Sequence, residues 1–228
     1  MKRLHSQMGN ALFLILIAVA LFAALSYAVT NSGRGGGGID REQAALQASE
    51  LEQNISQIRT AIQRLQLMNG CSNTDISLHY DSDENGSLDE YDAYYNLNSV
   101  GNTACYVFHP DGGGLTFPNI KFADGGIRFN GRNQIAGIGL DNGDADSSEL
   151  VVFYQEIGLG VCEAINSKRD IPSPPPVSDR WTSPLFAGSY GSAYRIAGPS
   201  DEFSGKDVGC MNINGSNRYI VYASLIDR

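Results

Sequence analysis

The chain is short of the residues that most catalytic and metal chemistry needs. It has three histidines and four cysteines, none in a CxxC pair, which excludes a zinc-finger or thioredoxin-like site. It has no GxSxG, HExxH or phosphate-binding loop, and Gly137-Ile138-Gly139 lacks the strand–GxGxxG–helix setting of a nucleotide site. On these grounds an enzyme is not expected. Charge is sparse, 18% of residues, and unbalanced: 16 Lys+Arg against 25 Asp+Glu give a net charge of −9. Phosphate attraction needs clustered Lys and Arg, so no nucleic-acid partner is expected. A disorder signature is also absent, because 42% of the 228 residues are hydrophobic and they continue to the C-terminus. The 26 glycines favour a turn-rich fold over a helical bundle.

Against that background, one hydrophobic run stands out. A short basic leader, residues 1–9 with Lys2 and Arg3, precedes residues 11–29, which carry no charge. As a helix this run is about 28 Å long, near the thickness of a bilayer core. The positive-inside rule would keep the leader in the cytoplasm and send the rest across. Three readings fit: a signal anchor; a secretory signal cut after Ser26-Tyr27-Ala28, leaving Val29 first; or a prepilin signal, cut before the run so that the helix is retained.

In the third reading the chain resembles the type IV pilin and pseudopilin family. The resemblance lies in the short basic leader ending in Gly9, followed by Asn10 and at once by an unbroken apolar helix. It implies cleavage between Gly9 and Asn10 by a prepilin peptidase, with methylation of the new N-terminus. It also implies a bacterial structural subunit, held in the inner membrane by a helix over 10–30. That helix would then pack into a periplasmic or extracellular filament. The implied partners are copies of the chain or other pilin-like subunits and an inner-membrane assembly machinery. The family's usual glutamate, five residues after the cut, is Leu14 here. The alternative function is a signal-anchored periplasmic or extracellular domain that binds a ligand or partner.

A Gly-rich hinge over 31–39 (NSGRGGGG and Ile39) is expected to interrupt the helix. Asp40 is an expected N-cap, with Gln43 three residues on. Ala44, Ala48, Leu51, Ile55, Ile58, Ile62 and Leu65 then alternate at spacings of four and three, which makes 40–69 an amphipathic helix. Asn69-Gly70 is its stop.

From 70 to 228 the pattern is a β-rich head, with candidate strands at 75–80, 105–109, 127–130, 149–157 and 218–225. Residues 161–166 read as the start of a short helix, and 173–176 (SPPP) as an extended connector. The expected fold is therefore α+β: an N-terminal transmembrane helix, a Gly-rich hinge, and a long amphipathic helix packed on an antiparallel β-rich head. Cys71, Cys105, Cys162 and Cys210 imply two disulfides in a translocated domain. Three pairings are open, and proximity favours Cys71–Cys105 with Cys162–Cys210.

One segment carries coordination chemistry. Residues 81–92 read DSDENGSLDEYD. Asp81, Asp83, Asn85, Ser87, Asp89 and Asp92 occupy positions one, three, five, seven, nine and twelve of an EF-hand-like loop, with Gly86 at the turn. Hard oxygen donors at that spacing point to Ca²⁺. The last ligand is Asp where the template has Glu, and no flanking helix pair is expected. A second acidic run, 141–149, has oxygen atoms but no recognised spacing.

Overall fold

A computed structural model describes residues 8–32, 36–82, 86–90, 92–140, 147–178, 185–191 and 194–228. The chain divides into two compact units, Met1–Gln43 and Ala44–Arg228.

In the first unit α1 (Met8–Ser32) is helical throughout. Among the described residues, however, no helix is long and apolar enough to cross a membrane. The expected fold is corrected accordingly to α+β without an N-terminal transmembrane helix.

The second helix begins earlier than Asp40. α2 (Gly36–Asn69) starts inside the glycine run, so Asp40 lies within the helix and does not cap it. Glycine weakens a helix by about 1 kcal/mol each but does not forbid one, and the apolar stripe downstream supplies packing. That stripe is buried as the spacing requires: Ala48, Leu51, Ile58, Ile62 and Leu65 are at most marginally accessible.

The second unit holds a six-stranded sheet: β1 (Ile127–Ile135), β2 (Glu149–Ile157), β3 (Val177–Ser178), β4 (Tyr194–Ile196), β5 (Val208–Ile213) and β6 (Tyr219–Ile226). The strand order is β3-β5-β6-β2-β1-β4. The four long strands pair antiparallel, but β3 on β5 and β4 on β1 are parallel. The sheet is thus mixed, and the antiparallel expectation holds only for its centre.

Strand β2 is buried at every position but Glu156 because both faces of the sheet are covered. Leu150, Val152 and Tyr154 join the α2 stripe in one core; Val151 and Phe153 join Phe203, Met211 and Tyr222 in a second. Alternate side chains of a strand point to opposite faces, so double cover explains an unbroken apolar run.

Polar ties fix α2 and α3 (Leu159–Ser167) to this body. Glu52 of α2 receives Lys168 Nζ at 2.6 Å and Arg169 at 2.9 Å. Arg59 donates to the Ser224 carbonyl at 2.6 Å and pairs with Asp207 at 2.8 Å. Buried Asn166 of α3 clasps the Cys210 peptide, donating to its carbonyl and accepting from its N–H, both at 2.8 Å. The disulfides are Cys71–Cys105 and Cys162–Cys210.

Segments 75–80 and 105–109 form no strands. They meet in one parallel bridge, Ser77 to Tyr106. Cys105 ends a short 3-10 helix, Thr103–Cys105. Beyond it the chain doubles back, so that the Gly113 N–H bonds to the Tyr106 carbonyl at 2.7 Å. Gly112 and Gly113 pack so tightly that an added Cβ would stand 2.2 Å from the Tyr106 and Val107 carbonyl oxygens. Arg64 of α2 donates to the carbonyls of both glycines.

Three buried tyrosines and the half-buried Tyr190 donate their hydroxyls inward in the second unit: Tyr94 to the Ile127 carbonyl, Tyr154 to Asn54, Tyr190 to the Asn73 carbonyl and Tyr222 to the Lys206 carbonyl. Burial pushes the Tyr94 phenol up to about 12, from 10.0, and pushes the other three upward as well. A folded-state pKa above the unfolded value means that the stabilisation is complete below pH 10 and is lost as pH rises beyond it. Each phenol held neutral only by the fold costs about 1.4 kcal/mol per pH unit. Stability measured by urea melts is expected to be flat from pH 8 to about 9.5 and to fall steeply towards pH 12. A flat profile to pH 12 would contradict the buried phenols.

Candidate functional site

Two features carry chemistry or contact: the apolar surface of α1 and the acidic loop at 81–92. Gly9 and Asn10 lie in the first turn of α1. Beyond them ten large apolar side chains, from Phe13 through Phe22 to Tyr27, are 40–75% exposed. At roughly 150–250 Å² for an aromatic side chain, their open surface is on the order of 1,000 Å². The largest apolar patch of an ordinary monomer is about 300–600 Å². A helix apolar on every side is a helix that works buried.

In the acidic loop the structure describes Asp81, Ser87, Asp89 and Asp92; Asp83 and Asn85 lie outside the described residues. Asp81 Oδ2 accepts the Gly86 N–H at 2.8 Å. Asp92 is buried and turned inward. One carboxylate oxygen accepts the Ser82 N–H at 2.7 Å and the Ser82 hydroxyl at 3.0 Å; the other accepts the Asp89 N–H at 3.1 Å. Burial opposes its charge, but these donors and the neighbouring His79 hold the carboxyl below the usual aspartate range.

His79 is the residue that the sequence does not reveal. Its Nε2 stands 2.9 Å from the Asp89 carbonyl and 3.6 Å from Asp92 Oδ2. A carbonyl only accepts, so Nε2 carries the proton. The ring sits edge-on to Tyr95 and Tyr106. Nothing in the spacing of 81–92 points to a histidine upstream of it.

Asp92 therefore closes the loop with protein donors. Among the described residues no group of three or more His, Cys, Asp or Glu stands together as a metal site. In the second acidic run, Asp141 to Asp146 lie outside the described residues, and Glu149 turns inward to accept the Ile135 N–H at 2.8 Å.

A depression of about 660 Å³ separates the two sheet edges. Val177 and Ser178 of β3, Arg195 of β4, Asp201 and Asn214 are among the residues that line it. Arg195, half-buried, pairs with the exposed Asp201 at 3.1 Å.

Comparison of the chain with protein-family models, with curated proteins and with solved structures finds no match.

Proposed function

We propose that this protein is a structural subunit of a periplasmic or extracellular filament, a pilin or pseudopilin, assembled by packing α1 against α1 of other copies or of similar subunits. The carrying observation is the exposed apolar surface of α1 from Phe13 to Tyr27. Burying on the order of 1,000 Å² at about 25 cal/mol per Å² provides tens of kcal/mol before ordering costs, which suffices for association without covalent chemistry. Two disulfides support folding in an oxidising compartment. In this reading a prepilin peptidase cuts between Gly9 and Asn10, the new N-terminus is methylated, and an inner-membrane machinery feeds subunits to the polymer. Mass spectrometry of the mature chain tests it. A chain that starts at Asn10 is expected; one that starts at Met1 or Val29 would overturn the reading.

We infer separately that Ca²⁺ stiffens the acidic loop as a structural clip. Asp81, Asp83, Asn85, Ser87 and Asp89 would offer only hard oxygen donors, while Asp92 keeps the loop closed through Ser82 and Asp89. The alternating spacing and the hydrogen bond from the Gly86 N–H to Asp81 support this clip. At a hundredfold excess over Kd, Ca²⁺ adds about 2.7 kcal/mol, or roughly 5–10 °C in Tm for a unit of this size. Melts with Ca²⁺ and with chelator are expected to differ by that amount, and Asp81→Asn with Asp83→Asn to remove the difference. Identical melts would sink the clip.

A further inference from the structure

We propose that Asn214 is a site of spontaneous deamidation, selected by the fold from several equivalent sequences. The chain has five Asn–Gly pairs: Asn69-Gly70, Asn85-Gly86, Asn130-Gly131, Asn142-Gly143 and Asn214-Gly215. Asn85 and Asn142 lie outside the described residues. In every such pair the following residue has no side chain to shield its peptide nitrogen. That nitrogen can bond to the asparagine Cγ, while the Cγ–Nδ2 bond breaks and ammonia leaves with the peptide proton. Water then opens the resulting five-membered imide at either carbonyl, leaving aspartate or isoaspartate.

The three described pairs differ in what holds the amide. Asn69 donates its Nδ2 to the Ala104 carbonyl at 2.6 Å. Asn130 is buried, and its Oδ1 accepts from the Arg132 N–H at 2.6 Å and from Asn133 at 2.8 Å. Gly131 beside it is equally confined, since an added Cβ would stand 2.8 Å from the Phe186 ring. The imide needs a swing of the side chain and a bend of the backbone, and both sites resist it.

Asn214 is different. It is exposed, with Gly215 and Ser216, at the turn between β5 and β6. Its side chain takes no hydrogen bond among the described residues. Asn214 at φ 51° and Gly215 at φ 67° are both left-handed, and the Ser216 N–H closes the turn on the Ile213 carbonyl at 2.9 Å. An Asn–Gly hairpin turn is the ordinary sequence solution for two successive positive φ values, so the residues that make the turn also make the reactive pair.

The site also has a structural consequence. The Asn214 N–H reaches the Ser178 carbonyl at 3.3 Å, so this residue helps to hold the two-residue strand β3 on β5. Isoaspartate adds a carbon to the main chain at that point and loosens the edge. Either product adds a negative charge to the depression that Asn214 shares with Asp201.

Peptide mapping by mass spectrometry tests the assignment. The intact, disulfide-bonded chain is held at mildly alkaline pH and sampled over days, in buffer and in concentrated urea with reductant. In buffer the Asn214 peptide is expected to convert at least about tenfold faster than the Asn69 and Asn130 peptides, the rate ratio that about 1.4 kcal/mol of retained hydrogen bonding imposes. In urea the three rates are expected to converge. Conversion of Asn69 or Asn130 as fast as Asn214 in buffer would overturn the assignment, as would an Asn214 that converts in urea but not in buffer.

Discussion

Replacing Val19 by aspartate is expected to abolish assembly and leave the head untouched. Val19 lies in the middle of the exposed stretch of α1 and is 62% exposed in the isolated chain. A carboxylate there stays in water in the monomer, so the urea melt should move by no more than about 0.5 kcal/mol. In the proposed polymer core the same group would be buried among apolar helices, with no side-chain cation on α1 to meet it. An unpaired buried charge costs several kcal/mol, and the cost recurs in every subunit. Val19→Asp is therefore expected to sediment as a monomer where the parent sediments as polymer, with Val19→Leu behaving as the parent. Polymers of normal length from the aspartate variant would place the contact elsewhere.

The second large effect concerns the Cys162–Cys210 disulfide. It closes 48 residues, and a loop of that length restricts the unfolded chain by about 4 kcal/mol. It also joins α3 to β5 beside the Asn166 clasp, so its loss frees a helix that shares the α2 side of the sheet. A domain is stable by only about 5–15 kcal/mol. The double change Cys162→Ala with Cys210→Ala is expected to lower Tm by roughly 8–16 °C and to steepen the urea melt, because the unfolded chain opens further without the bond. The Cys71–Cys105 bond closes 34 residues and should contribute about as much. A loss below about 1 kcal/mol would mean that the Asn166 clasp alone fixes α3.

How much of this was legible in the sequence depends on how local the signal was. The α2 stripe could be read because seven apolar residues repeat at helical spacing, and each is buried where the spacing puts it. Residues 149–157 could be read because a doubly covered strand has a continuous apolar run. The short helix after Gly158 and both disulfide pairs also followed from local cues.

What failed depends on contacts between distant residues. Segments 75–80 and 105–109 have strand-like composition. A disulfide, a 3-10 turn and the Gly112-Gly113 fold-back leave them one bridge in place of a ladder. Strands β3 and β4 have two and three residues and pair parallel with strands far off in sequence, so no periodicity marks them. The transmembrane expectation rested on composition over 11–29, whereas among the described residues no helix is long and apolar enough to cross.

The acidic loop was half legible. Alternating oxygens announced a turn built on side-chain acceptors, and Asp81 and Asp92 are such acceptors. That Asp92 is committed to Ser82 and Asp89, with His79 behind it, depends on a histidine outside the motif whose approach only the folded chain shows.

The central claim, that α1 is buried against its own kind, is tested most directly by electron microscopy of the native protein in the state in which cells release it, combined with mass spectrometry of the same material. Thin filaments composed of this chain are expected, with α1 packed against α1 of neighbouring copies. Recovery of the intact chain solely as single, unpolymerised particles with α1 still attached would contradict it.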